Sequence, residues 1–125
     1  MAELKRKKWL IGNWKMHGTQ SANQALIDGM RRELTRSHPQ LGMAICPAFP
    51  HLQQVSNLLV GSNIVLGAQN LSEQAKGAYT GEISGAMLKD LGVDFVIIGH
   101  SERRSFQNEN DSLIAQKVRA ALDAG

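Results

Sequence analysis

A lysine just past one apolar run and a histidine just past another are the side chains best placed to do chemistry in this chain. The first lies in GNWKMHG (12–18), where Asn13 and Lys15 stand two apart at the end of WLIGN. In an extended segment that spacing puts both on one side. An ammonium there can neutralise a phosphate or a developing enolate as a compact point charge. Taken alone, the same motif fits a surface lysine in a turn somewhat better, and Trp14 between the two polar residues reads as packing.

The second lies in DFVIIGHSERRSF (94–106), where four apolar residues run into Gly99, His100, Ser101, Glu102, Arg103 and Arg104. Ser101 beside His100 suggests a hydrolytic pair. Sequence neighbours point apart in most backbones and no G-x-S-x-G is present, so a nucleophilic serine is set aside. A neutral histidine at a strand end can donate a hydrogen bond or proton to a carbonyl oxygen without becoming a cation. Glu102 is expected to hold a cation in place, with Lys15 as the candidate. Arg103 and Arg104 are expected to be structural ion-pair partners.

The elements that must position these groups repeat along the chain. Apolar runs at WLIGN (9–13), GMAICP (42–47), NIVLGAQN (63–70) and VDFVIIG (93–99) each precede a segment of helical spacing. The first helix is expected to start at Thr19 as its cap and to bury Ala22, Leu26, Met30 and Leu34. The second carries Leu52, Val55, Leu58 and Leu59 and stops at Gly61; the third holds Met87, Leu88 and Leu91 before Gly92. The fourth is expected to open at Asn108, with Asp111 three residues on, and to bear Leu113, Ile114, Val118, Ala121 and Leu122. Strands that read as unbroken apolar runs are buried on both faces, which implies a parallel sheet and the α/β class. A doubly wound sheet and a (β/α)8 barrel both satisfy this pattern, and both place ligands beyond the carboxyl ends of the strands.

Between the third run and its helix lies a long polar segment, LSEQAKGAYTGEIS (71–84). It contains neither GxGxxG nor GxxxxGK[ST], so it gives little support to nucleotide binding. A loop of that length in a compact domain is more often functional or interfacial than idle, and contact with a partner subunit is the expected use.

Composition removes other classes. Only 5% of residues are aromatic, so stacking platforms for single-stranded nucleic acid are scarce. The net charge of +3 is concentrated at Lys5–Lys8, read as a solvated strand entrance because no basic stripe recurs, and no nucleic-acid partner is expected. Cys46 is the one cysteine and forms no internal disulfide. His17, His38, His51 and His100 show no zinc-ligand spacing, so a zinc site is not expected. No apolar run is long enough to span a bilayer and no secretion signal is read, so no membrane association and a cytoplasmic location are expected.

Taken together, GNWKM, GAQN, GAYTGEIS…MLKDLG and IIGHSERR resemble the triosephosphate isomerase family in sequence, order and spacing. The resemblance runs from about residue 9 to Gly125. It implies the α/β (β/α)8 TIM-barrel fold, with residues 1–125 forming a single partial domain of its first four β/α units. It implies interconversion of dihydroxyacetone phosphate and D-glyceraldehyde 3-phosphate through an enediolate, in glycolysis and gluconeogenesis, without cofactor or metal. Asn13 and Lys15 would then line the substrate site, Lys15 would offset enediolate charge, His100 would be the electrophile, and Glu102 would fix Lys15. The segment from Gln69 to Glu82 would be the loop by which a homodimer forms.

One departure is His17, which stands where the family usually shows asparagine. The larger one is length, since such a barrel takes about 250 residues. The family's glutamate base, its lid and its glycine-rich phosphate loops belong to the second half, and Glu102 and Glu109 lie in the wrong motifs to replace the base. The 125-residue polypeptide alone is therefore expected to lack useful isomerase activity. The alternative is a non-catalytic half-barrel that binds a phosphorylated ligand or associates with a second half. Exposed edges on the first and fourth strands would favour self-association.

Overall fold

The computed structural model describes residues 6–34, 36 and 38–125. Lys5, the first residue of the basic run, lies outside them. Four strands, β1 (Lys8–Asn13), β2 (Leu41–Cys46), β3 (Ile64–Ala68) and β4 (Phe95–Val96), pair in parallel and in chain order. Helices α1 (Gln20–Glu33), α2 (Leu52–Leu58) and α3 (Gly85–Asp90) make the connections, and α4 (Ser101–Phe106) and α5 (Asp111–Ala124) follow β4. Sequential parallel strands joined through helices form the first half of a (β/α)8 barrel.

The register is continuous from strand to strand. Asn13 stands opposite Cys46, Met43 opposite Ile64, and Gly67 opposite Phe95. Gly67 has no room for a side chain, because a Cβ there would sit 2.3 Å from the Phe95 ring and 2.7 Å from Cys46 Sγ. The core lies between sheet and helices and is built from Ile45, Ile64 and Leu66 on the strands and Ile27, Leu52, Val55 and Leu88 on the helices.

Local chemistry sets the helix boundaries. Thr19 Oγ1 accepts from the Ala22 N–H at 3.2 Å and opens α1, and Gly61 at φ +79° follows the end of α2. Arg31 of α1 donates to the carbonyls of Leu58 and Val60, satisfying the open end of α2.

Four expectations need correction. Helix α1 buries Asn23 and Ile27, not Ala22 and Leu26, which are exposed. Buried Asn23 holds that face by donating to Gln54 Oε1, so a polar residue took the place that an apolar stripe predicted. The cap of α5 is Asn110, which accepts from the Leu113 N–H at 2.9 Å, whereas Asn108 sits at φ +55° in the preceding turn. On α5 the buried residue is Lys117; Val118 and Leu122 are exposed. Finally, burial on both faces holds for β2 and β3 only. Leu10 of β1 is 64% exposed, and β4 is two residues long and half-buried, because each of these strands has a neighbour on one side alone.

Candidate active site at the strand ends

Asn13 closes β1 and accepts on Oδ1 from the backbone N–H of Lys15 at 2.9 Å. A side chain bonding its own backbone two residues on creates a tight turn. That turn leaves Lys15 at φ +53°, a left-handed conformation costing a side-chain-bearing residue about 1–2 kcal/mol. Gln69, one residue past β3, donates from Nε2 to the carbonyls of Lys15 at 2.9 Å and Cys46 at 2.8 Å. Carbonyls only accept, so the amide nitrogen of Gln69 must face both.

From this fixed backbone Lys15 Nζ reaches Glu102 Oε1 at 2.6 Å. The hydrogen bond from Lys15, outweighing a push upward from lost hydration, holds the Glu102 carboxyl below its ordinary value of 4.5. His100 caps α4: its Nδ1 accepts from the Glu102 backbone N–H at 3.1 Å. Glu102 Oε2 also lies 3.6 Å from Nδ1, a distance that would suit an imidazolium ion pair. Both cannot hold, because a protonated Nδ1 has no lone pair to accept with. The shorter contact is the hydrogen bond, and it requires a bare Nδ1, which leaves Nε2 as the nitrogen able to donate.

Asn13, Lys15, Gln69, His100, Glu102 and Phe106 line one cleft of ≈ 410 Å³. An ammonium and an imidazole thus share one hollow at the carboxyl ends of the strands. A smaller void of ≈ 50 Å³ beneath α3 and α5 is mainly apolar and contains none of these groups. Exposed His17 stands outside the lining of the main cleft. Among the described residues no three His, Cys, Asp or Glu side chains are grouped to hold a metal ion, and no helix is long and apolar enough to cross a membrane.

A profile of the triosephosphate isomerase family matches residues 8–125. The chain belongs to the triosephosphate isomerase family. It is 49% identical over 120 residues to triosephosphate isomerase of Thiobacillus denitrificans, covering 96% of this chain and 47% of that protein. With triosephosphate isomerase of Albidiferax ferrireducens the identity is 50%, covering 96% of this chain and 48% of that one. The crystal structure of triosephosphate isomerase from Bartonella henselae superposes with a TM-score of 0.85 at 39% identity, over 94% of this chain and 48% of that chain. The chain therefore spans about half the length of these triosephosphate isomerases.

Sequence reasoning missed a buried network behind the cleft. Lys117 Nζ donates to Asn70 Oδ1 at 2.8 Å and to Glu109 Oε2, which also accepts from Arg103 Nε at 2.8 Å. Burial pushes the Glu109 carboxyl up, but the hydrogen bonds from Lys117 and Arg103 overcome it and leave the value lowered. This network fastens α4, which carries Glu102, to α5 and to the end of β3. Arg104 pairs separately with Asp111 at 2.8 Å. One sequence signal existed: Lys117 interrupts the stripe of Ile114 and Ala121, three before and four after it, and a lysine on a buried stripe demands a buried partner.

Proposed function

We propose that this chain carries the electrophilic half of a triosephosphate isomerase site, acting on dihydroxyacetone phosphate and D-glyceraldehyde 3-phosphate. The observation supporting it is the meeting of Lys15 and His100 through Glu102 at one cleft. Lys15 binds the phosphorylated substrate and offsets the negative charge of the enediolate. Neutral His100 donates from Nε2 to the substrate oxygens and moves a proton between them, a role for which this family is itself a standard example. Asn13 lines the substrate site and Glu102 holds Lys15.

The reaction also needs a base to take the carbon-bound proton. Glu102 is engaged by Lys15, and Glu109 by Lys117 and Arg103. We therefore read the 125-residue polypeptide as inactive until a second half of the barrel supplies the base and the phosphate loops. Residues 1–125 form one partial domain in this reading, and the setting is cytoplasmic glycolysis and gluconeogenesis. The loop of residues 69–82 is read as the homodimer contact. It is tied at its base by the Ser72 N–H bond to Ile83 O at 2.7 Å, and residues 75–82 are exposed.

A second reading, a non-catalytic half-barrel that binds phosphorylated ligand or pairs with another half, draws on the open β1 edge. Isomerisation of glyceraldehyde 3-phosphate, measured with and without a carboxyl-terminal half supplied in trans, separates the two. Activity that appears only with the second half supports the isomerase reading. Phosphate binding with no activity in either mixture supports the other.

A further inference from the structure

We propose that Gln69 is a positioning residue of this site: together with Asn13 it grips the two peptide groups of Lys15 and holds the backbone from which the ammonium reaches Glu102. Asn13 Oδ1 takes the Lys15 N–H at 2.9 Å, and Gln69 Nε2 supplies the Lys15 carbonyl at 2.9 Å. A left-handed lysine persists only where its surroundings over-determine it, and these two side chains fix both its ends. The second hydrogen of the Gln69 amide goes to Cys46 O at 2.8 Å, so the clamp is anchored on β2. Four bonds link three strand ends: Asn13 to Lys15, Gln69 to Lys15, Gln69 to Cys46, and the Trp14 N–H to Cys46 O at 3.1 Å. If Gln69 were lost, the Lys15 carbonyl would lack its donor, Cys46 O would keep only the Trp14 N–H, and Lys15 would be free to relax toward ordinary backbone angles, carrying its ammonium away from Glu102.

This role rests on the reading of Lys15 as the substrate-binding cation, yet its test needs no substrate. The groups facing Glu102 are the Lys15 ammonium at 2.6 Å and His100 Nδ1 at 3.6 Å, and substitutions at Gln69 and Asn13 alter neither. Carboxyl 13C resonances of Glu102 are followed against pH in the 125-residue chain, in Gln69→Met and in Asn13→Ala, with Lys15→Met marking the titration without an ammonium. In Gln69→Met and Asn13→Ala the Glu102 midpoint is expected to rise toward that of Lys15→Met. Gln69→Asn, too short to span both carbonyls, is expected to behave likewise and serves if Gln69→Met does not fold. A folded Gln69 variant whose Glu102 midpoint matches the unaltered chain overturns the proposal and leaves Gln69 as a tie between β3 and β2. Binding of glyceraldehyde 3-phosphate is measured separately, in the mixture with a second half. An affinity unchanged by Lys15→Met would sink the substrate reading of Lys15 without touching the Glu102 result.

Discussion

Lys15 and Glu102 lie 87 positions apart in the chain and meet through a 2.6 Å ion pair at the mouth of the barrel half. The pair is about half-exposed, so its energetic worth is small and its value is directional. It aims an ammonium along a path that the Lys15 backbone would not choose unaided.

That unfavourable backbone gives a stability test at position 15. Lys15→Ala and Lys15→Gly both remove the charge, but glycine adopts φ +53° without steric cost. Lys15→Gly is expected to be more stable than Lys15→Ala by about 1 kcal/mol in chemical denaturation. Equal stabilities would show that residue 15 carries no strain.

Glu109 is 5% exposed and is the carboxylate that Lys117 and Arg103 share. Glu109→Gln leaves two cations short of their counter-charge and is expected to cost about 3–5 kcal/mol of folding stability. Because the folded carboxyl lies below its ordinary value of 4.5, its stabilisation is intact above that pH and fades as the pH falls through the lowered folded value. Denaturation followed from pH 7 to pH 3 is expected to show that loss in the unaltered chain and less of it in Glu109→Gln.

Burial pushes the Cys46 thiol up to about 11, and the side chain has no exposed surface. The nucleophile in thiol chemistry is the thiolate. At pH 8 the folded chain is expected to react with an aromatic disulfide on the order of a hundredfold more slowly than the denatured chain. Comparable rates would mean that the β2 end opens readily.

The His100 ring should betray its tautomer. Nitrogen-15 spectra near neutral pH are expected to show Nε2 protonated and Nδ1 bare, as the bond from the Glu102 N–H requires. In a mixture reconstituted with a second half, His100→Gln is expected to lower the isomerisation rate by roughly 10²–10⁴-fold. A rate within a factor of a few of the unaltered mixture would remove His100 from the chemistry.

Much of this protein was legible in its residues. Unbroken apolar runs alternating with helical spacing announced a parallel α/β sheet, because a strand covered on both faces has no use for alternation. GNWKM and GHSERR marked where Lys15 and His100 leave their strands, since polar groups gather where strands end. Glu102 was legible as the partner of Lys15, but tertiary structure alone decided what grips the Lys15 backbone and α4. Helix α1 turned a different face inward because Asn23 found Gln54, and no periodicity of apolar letters encodes a hydrogen bond between two helices. The Lys15 backbone is held by Gln69, 54 positions away, as well as by Asn13 beside it, and the support of α4 follows from Glu109, Lys117 and Asn70 meeting in the interior. Local patterns fix which residues can become a strand or a helix. Which buried polar groups find each other depends on distances that only the closed packing of the sheet against its helices sets.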